Sequence, residues 1–230
     1  MRIDKFLSSA GTLSRSRTGI AVKKGRICVN GEVVKKANFN VDENADIVTL
    51  DGVVISYRKF IYIMLNKPMG YVSATTDKNA PCVTELLDEG LRKFELFPVG
   101  RLDKYTTGLM ILTNDGMTAH KALSPKHHAE KVYRFTVAKP LEKIEELQSG
   151  VHIEGGYLTK PCRVKRLGEK EGEITLTEGK YHQIKQMMHA VGNEILTLER
   201  ISFAGIPLDI KLSPGEYREL TKDETELLKG

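Results

Sequence analysis

The spacing of apolar residues predicts a compact α+β unit in the first sixty residues. A first helix is predicted from four apolar residues at i, i+3, i+4 and i+7, namely Ile3, Phe6, Leu7 and Ala10. Ser14 is expected to cap a second helix that ends at Gly25. Gly19 lies inside that helix, and because glycine costs up to roughly 1 kcal/mol relative to alanine, the helix is expected to be weak or irregular. Two apolar-rich segments then meet at Asn30-Gly31, which is typical of a tight hairpin turn, and a further strand is expected at 47–50.

Beyond residue 60 the pattern predicts a larger domain in which helices and strands do not alternate strictly. Residues 56–60 are interpreted as a linker, so the predicted domains are 1–59 and 60–230. The expected fold class is α+β, with a mixed, mostly antiparallel sheet flanked by helices rather than a doubly wound parallel sheet. Strands are predicted at 61–65, 95–99, 109–113, 131–138, 173–177 and 195–203, and helices at 115–123, 141–149, 180–191 and 222–229.

Composition narrows the class of protein without naming a function. A chain of 230 residues with 40% hydrophobic and 28% charged residues has the balance of a soluble globular protein that can bury a sizeable core. It has no apolar run of about 20 residues and no apolar signal-peptide core near Met1, so a cytoplasmic location is expected. A monomer is expected because no interface stripe is evident in the sequence. Cys28, Cys82 and Cys162 are too far apart in sequence to suggest a disulfide framework or a zinc site.

The excess positive charge is confined to the first quarter of the chain. Residues 1–60 contain 11 Lys and Arg against 6 Asp and Glu, a difference of +5, which equals the net charge of the whole chain. Residues 61–230 are therefore neutral overall. A solvated charged surface is one explanation of such a cluster, but a local basic patch also favours binding to a nucleic-acid backbone.

The segment from Gly100 to Gly116 contains the strongest candidate for chemistry. Asp103 stands between two cations, Arg101 and Lys104, in a polar turn that precedes an apolar strand. A carboxylate in such a turn is a candidate nucleophile, and the alternative is that it caps the turn or pairs with a neighbouring cation. Seventeen positions of this segment resemble the catalytic motif of the pseudouridine synthases, which favours the functional interpretation.

Three further segments carry candidate functional residues. Lys67-Pro68-Met69-Gly70 is a turn by composition, and it resembles the element that opens the synthase domain. Residues 124–134 form a cation-rich loop with paired histidines and a tyrosine, a combination that suits a nucleic-acid groove better than a metal site. In 178–189, Ile184 and Met187 belong to an apolar helical face, and the opposite face carries His182 and Lys185.

These resemblances together cover almost the whole chain. Residues 1–59 are similar to the S4 RNA-binding domain, and residues 60–230 to the RsuA/RluB/RluE/RluF family of rRNA pseudouridine synthases, most of all to its small-subunit branch. Gln186 is a departure, because relatives often have arginine after the lysine.

The resemblance implies roles for individual residues. It makes Asp103 the nucleophile, Tyr133 the ring that stacks on the flipped uracil, and Lys185 the cation beside the carboxylate, with no cofactor and no metal. The residues expected to bind RNA are Arg2, Lys5, Arg15, Arg17, Lys23, Lys24, Arg26, Lys67, Arg101, Lys126, His127, His128, Lys131 and His182.

The implied substrate is one uridine of 16S rRNA, uridine 516, either in free RNA or in a small-subunit assembly intermediate. Three alternatives remain open at this stage. The chain could modify 23S rRNA, it could be a non-catalytic S4 protein that binds ribosomes, or it could be a metal-dependent nuclease that uses Asp103 and Asp115.

Overall fold

The computed structural model divides the chain into two compact units. It describes residues 1–43, 45–55, 57–124 and 129–230. The first unit consists of Met1–Ile61 with Asp88–Glu95, and the second of Tyr62–Leu87 with Leu96–Gly230. The boundary between residues 59 and 60 stays a prediction. No helix in the described part of the chain is long and apolar enough to cross a membrane.

The first unit packs helices against a small antiparallel sheet with the strand order β2-β1-β3-β4. Its elements are α1 (Ile3–Ser9), α2 (Arg15–Lys23), β1 (Ile27–Val29), β2 (Glu32–Val33), β3 (Val48–Leu50), β4 (Val53–Val54) and α3 (Glu89–Arg92). The Oγ of Ser14 accepts a hydrogen bond from the Arg17 amide, which confirms the predicted cap. The α2 helix continues through Gly19, so the expectation of an irregular helix was wrong. Asn30 and Gly31 have φ angles of 51° and 85°, both in the left-handed region that a two-residue hairpin turn of type I′ requires.

A nine-stranded mixed sheet forms the second unit, which confirms the predicted α+β class. The strand order is β11-β12-β8-β13-β7-β5-β15, with β14 beside β13 and β6 beside β7. Among the strand pairs of the described residues, β13 and β7 are parallel and the others are antiparallel. The strands of this sheet are β5 (Tyr62–Lys67), β6 (Phe97–Pro98), β7 (Thr107–Thr113), β8 (Lys131–Val137), β11 (Arg163–Arg166), β12 (Glu171–Leu176), β13 (Ile195–Phe203), β14 (Ile206–Pro207) and β15 (Tyr217–Glu219). A separate two-stranded sheet pairs β9 (His152–Ile153) with β10 (Tyr157–Leu158). The helices are α4 (Gly116–Leu123), α5 (Ile144–Ser149), α6 (Gln183–Ala190) and α7 (Lys222–Lys229), with short 3-10 turns at Val83–Leu86 and Glu154–Gly156.

The two neighbouring strands β5 and β7 form the most deeply buried part of this sheet. Both sequences are apolar except at their ends, and almost every residue of both strands is buried. Such continuous runs are typical of strands with both faces covered. In contrast, β8 alternates, with Tyr133, Phe135 and Val137 buried and Arg134 exposed. The ends of β5 and β7 and the inner face of β8 therefore supply rigid positions for side chains.

Gly108 allows the parallel strands β7 and β13 to approach each other closely. Its φ is +94°, and a Cβ atom at this position would lie 2.4 Å from the carbonyl oxygen of Arg200, which is paired with Gly108 in the sheet. Any larger residue would have to adopt a strained backbone conformation and would also displace β13.

We expect the substitution Gly108→Ala to lower the free energy of unfolding by at least about 2 kcal/mol, because left-handed strain and overpacking each cost on the order of 1–3 kcal/mol. Gly116→Ala is the matched control, since Gly116 begins α4 and a Cβ there would meet no atom within 4 Å. Urea unfolding of both variants beside the wild type measures the difference. Equal stabilities of the two variants would contradict this account of the β7–β13 contact.

Candidate active site

Asp103 lies in the loop between β6 and β7, and the segment after β5 holds this loop in place. Ser73 accepts a hydrogen bond from the amide of Leu102 at 2.9 Å and donates one to the carbonyl of Leu102 at 2.8 Å. The amide of Gly70 donates to the carbonyl of Lys104 at 2.8 Å. Within the loop, the Thr106 amide donates to the carbonyl of Asp103 at 3.1 Å. Hydrogen bonds therefore fix the backbone on both sides of Asp103.

The ammonium group of Lys67 is buried beneath the same loop. Lys67 is 0% exposed, and its Nζ donates to the carbonyls of Thr106 at 2.7 Å, Pro68 at 3.2 Å and Lys104 at 3.3 Å. Burial lowers the pKa of Lys67 to about 8, against a smaller opposing effect of the Asp103 carboxylate. The expectation that Lys67 contacts RNA is therefore wrong, because the three N–H donors of its ammonium group are hydrogen-bonded to backbone carbonyls of the loop and of Pro68.

Two side chains from the start of α6 approach one oxygen of Asp103. The Nζ of Lys185 lies 3.7 Å from Oδ2 of Asp103, and the Nε2 of His182 lies 3.6 Å from the same atom. A pair of unit charges about 4 Å apart attracts by about 4 kcal/mol at an effective dielectric constant near 20. About a third of each side chain in the Lys185–Asp103 pair is exposed, so the net contribution is nearer 1 kcal/mol.

The pair opens into a cavity of about 260 Å³, large enough for one nucleobase. The residues that line it include Arg101, Asp103, Lys131, Tyr133, His182, Lys185 and Arg200. The geometry therefore combines a carboxylate, several cations and an aromatic ring around a space of nucleobase size. This arrangement suits reaction at a flipped nucleotide.

Tyr133 and Arg200 are direct neighbours across strands β8 and β13. Tyr133 is 8% exposed and Arg200 is 1% exposed, so both side chains are buried. The Nε of Arg200 donates to the carbonyl of Leu109 at 2.7 Å, and its guanidinium lies 5.2 Å from the ring centre of Phe203. A register shift of β13 immediately after Arg200 changes the direction of the strand at this point.

Arg200 is the main site residue that sequence reasoning missed. In the sequence it stands in a segment that predicts a strand and nothing more, since no local signal distinguishes a buried arginine in a strand from an exposed one. Burial lowers the pKa of Arg200, with an opposing effect from Tyr133. Burial also lowers the pKa of Lys131, and the charge of Arg200 lowers it further. The cavity wall therefore carries two poorly hydrated cations, Lys131 and Arg200.

The cations predicted in the first unit lie at its surface. All of them are exposed: Arg2, Lys5, Arg15, Arg17, Lys23, Lys24 and Arg26. Arg2 pairs with Asp4 at 2.8 Å, and Arg26 forms a two-pronged pair with Asp51. For the four cations of α2 and its C-cap, no carboxylate of a described residue acts as partner. In the second unit Arg101 is exposed at the cavity, whereas Lys126, His127 and His128 lie outside the described residues.

Asp115 has a structural role. It caps α4 by accepting hydrogen bonds from the amides of Met117 and Thr118, and it also accepts from the hydroxyls of Thr118 and Tyr62. These donors lower the pKa of Asp115 although burial opposes them, and the carboxylate in turn helps burial to raise the pKa of Tyr62 to about 12. No cluster of three or more His, Cys, Asp or Glu residues that could hold a metal ion occurs within the described part of the chain.

Gln186 also has a structural role. Its Oε1 accepts a hydrogen bond from the amide of Glu154 at 2.9 Å, and its Nε2 donates to the carbonyl of Tyr181 at 2.7 Å. It thus fastens the loop before α6 at the position where arginine is expected from the family pattern.

Comparisons with known proteins identify both units. Residues 61–190 match the family model of RNA pseudouridylate synthase, and residues 1–47 match that of the S4 domain. A Bacillus subtilis (strain 168) protein named uncharacterized RNA pseudouridine synthase YtzG is 46% identical, over 99% of this chain and 98% of its own. The Escherichia coli (strain K12) ribosomal small subunit pseudouridine synthase A is 39% identical, over 97% of this chain and 98% of its own.

A solved structure agrees with this assignment. A crystal structure of a pseudouridylate synthase matches with a TM-score of 0.70 and 35% identity, and the match covers 99% of both chains. The resemblances found in the sequence, to the S4 domain and to the pseudouridine synthases, are thereby confirmed.

The buried ammonium of Lys67 makes stability depend on pH. Its pKa is 10.5 in an unfolded chain and about 8 in the folded protein, so between these values the unfolded state binds more protons and stability rises with pH. The difference between the two pKa values corresponds to roughly 3 kcal/mol. Burial of the charged group lowers the free energy of unfolding by this amount below pH 8, and the loss has disappeared by about pH 10.5. We expect Lys67→Met to lack this rise. Urea unfolding from pH 7 to 10.5 measures it, with Lys170→Met as the control for losing a surface ammonium group. Parallel curves of unfolding free energy against pH for the wild type and Lys67→Met would show that Lys67 does not cause the rise.

Proposed function

This chain belongs to the RNA pseudouridylate synthase family, and we propose that it isomerises one uridine of 16S rRNA, uridine 516, with Asp103 as the nucleophile. The enzyme class rests on the family, whereas the nucleophile and the target RNA are inferences from the site and from the relatives. The observation that carries the assignment of Asp103 is its position: a fixed, partly exposed carboxylate 3.7 Å from a lysine at the wall of a cavity of nucleobase size.

The reaction exchanges one bond between uracil and ribose for another. The N1–C1′ bond breaks, the uracil turns within the cavity, and C5 forms the new bond to C1′. The proton on C5 is then lost and N1 gains one, so no atom, electron or cofactor enters the balance. A carboxylate oxygen of Asp103 that bonds to C1′ as the N1–C1′ bond breaks would hold the ribose while the uracil turns. The attack of C5 on C1′ then breaks this oxygen–C1′ bond and restores the free carboxylate.

Other residues of the cavity support each stage of this reaction. The target nucleotide must leave its stack at a cost of a few kcal/mol, and an aromatic platform such as Tyr133 returns about 1–3 kcal/mol. Lys185 offsets part of the cost of taking the Asp103 carboxylate out of water once RNA covers the site. Arg200 and Lys131 place positive charge where the detached uracil carries negative charge. Arg101, exposed beside Asp103, suits a contact with the RNA at the vacated position.

The proposed target comes from the relatives. A protein named ribosomal small subunit pseudouridine synthase A is 39% identical over nearly the whole chain, which favours the small-subunit RNA over 23S rRNA. The S4 domain supports an RNA partner in general, because its exposed α2 cations suit phosphate contacts.

The two other sequence-based alternatives have weaker support. A metal-dependent nuclease would need Asp115 as a ligand, but four hydrogen bonds occupy that carboxylate. A protein that only binds ribosomes would not need a lysine-paired aspartate in a nucleobase-sized cavity.

Tritium release from RNA that contains [5-³H]uridine tests the nucleophile. We expect Asp103→Asn to abolish release because an amide cannot attack C1′, and Lys185→Met to slow it by about 10–100-fold because one stabilising charge is lost. Asp223→Asn, at an exposed position of α7, is the matched control and should behave as wild type. Full activity of Asp103→Asn would remove Asp103 from the chemistry.

The same assay with different RNAs tests the target. We expect release from 16S rRNA, as a transcript or in unmodified 30S particles, and none from 23S rRNA, with a single modified position at uridine 516. Release from 23S rRNA alone would keep the enzyme class and overturn the proposed target.

Salt dependence tests the role of the S4 domain. Each lysine that contacts a phosphate contributes about 0.9 to the slope of log K against log salt concentration, so Lys23→Ala with Lys24→Ala should weaken RNA binding and reduce the slope by about 2. Lys170→Ala is the control, because Lys170 is an exposed lysine outside the first unit. Filter binding between 50 and 200 mM salt, as a typical range, measures the slopes. An unchanged slope in the double variant would place the phosphate contacts elsewhere.

A further inference from the structure

His182 has a backbone conformation that no local rule of helix capping explains. It precedes α6 with φ 48° and ψ 30°, in the left-handed region, and its side chain makes no capping hydrogen bond. A residue with a Cβ atom in this conformation carries a free-energy cost, and such residues cluster at functional sites. Nothing in the fold requires a histidine here, because asparagine or glycine would adopt the same conformation more readily.

The conformation directs the imidazole towards Asp103. The ring of His182 stacks on Tyr181, with 3.8 Å between ring centres and 21° between planes, and this contact fixes its orientation. Its Nε2 then lies 3.6 Å from Oδ2 of Asp103. This distance is long for a hydrogen bond, but contacts of catalytic groups often tighten only when the substrate is bound.

His182 and Lys185 approach the same oxygen. Both are closest to Oδ2 of Asp103, while none of the described residues donates a hydrogen bond to Oδ1. The two oxygens of the carboxylate are therefore not equivalent: one faces two donors from α6 and the other is left free.

We propose that His182 is a positioning residue that, together with Lys185, holds Oδ2 of Asp103 and leaves Oδ1 as the oxygen that attacks C1′. This inference rests on the proposed function, in which Asp103 is the nucleophile. A neutral imidazole that carries its proton on Nε2 suffices for the role, since it donates one hydrogen bond. The stacked, strained conformation supplies the orientation in advance, so that the carboxylate does not have to be reoriented when the nucleotide enters.

The alternative is that His182 contacts RNA. It also borders a second depression beside the cavity, together with His152 and His189. A contact with a neighbouring nucleotide would affect binding, whereas the positioning of Asp103 affects the chemical step. The two roles can therefore be separated by experiment.

Single-turnover kinetics and RNA binding of two variants make this separation. His182→Gly keeps the left-handed backbone and removes the ring, and we expect its single-turnover rate to fall by about 100-fold with an unchanged Kd for RNA. Its Tm should rise, because the strained Cβ atom is gone. His182→Asn, which tolerates the same backbone and can donate a hydrogen bond, should recover part of the rate, and added imidazole should partly rescue His182→Gly. His189→Ala, exposed on the same helix, is the control.

Two results would overturn the inference. A weaker Kd with an unchanged single-turnover rate would make His182 an RNA contact. Equal loss of rate in His182→Gly and His182→Asn, with no rescue by imidazole, would show that the donor function is not what matters.

A measurement without substrate separates this inference from the proposed function. The carboxyl ¹³C resonance of Asp103, assigned by its loss in Asp103→Asn, should shift in His182→Gly and stay in place in His189→Ala. If the wild type released no tritium from any RNA, the proposed function would fail, while this resonance would still decide whether His182 acts on Asp103. An unshifted resonance in His182→Gly, beside an active wild type, would refute the inference alone.

Discussion

The burial of the Lys67 ammonium beneath the Asp103 loop is the interaction on which the site depends. A charged group without exposure is expensive, and here three backbone carbonyls compensate for the lost water. Two of those carbonyls belong to Lys104 and Thr106, one and three residues after Asp103. The position of this loop is therefore fixed by strong, charge-assisted hydrogen bonds from the buried cation rather than by regular secondary structure.

The sheet supplies the second constraint. Because Gly108 has no side chain, β13 comes close enough to pair with β7 in parallel, and Arg200 lies at that contact. The same arginine faces Tyr133 across β8. One close contact between strands therefore fixes the part of the cavity wall that Arg200 and Tyr133 form. Backbone geometry fixes three parts of the cavity: the loop that carries Asp103, the β7–β13 strand pair and the first turn of α6. The cavity is therefore largely formed before RNA binds.

The cations of the two units differ in how far they are exposed to solvent. The first unit has exposed cations on a small S4 domain, where phosphate binding needs neither burial nor fixed geometry. In the second unit the decisive cations are Lys67, Lys131, Lys185 and Arg200, which are buried or half-buried. There the low exposure strengthens each electrostatic interaction, including that between Lys185 and the Asp103 carboxylate. Sequence counts of charge detect the first kind of site and are insensitive to the second.

The sequence by itself determined the S4 unit, the α+β class, the position of most helices and strands, and Asp103 as the candidate nucleophile. The elements follow from local spacing and from turn residues such as Asn30-Gly31, whereas the S4 unit and Asp103 follow from motifs that resemble known families. All of these signals act over short stretches of chain. The tertiary structure alone decided what the polar residues do. Lys67 lies in a turn motif and was predicted to contact RNA, but it is enclosed by the loop that it supports. Asp115 caps a helix, and Arg200 reaches the cavity from an ordinary strand. The reason is physical: burial and hydrogen-bond partners come from residues distant in the chain, such as Thr106 beside Lys67, and no local pattern records which of those partners will meet.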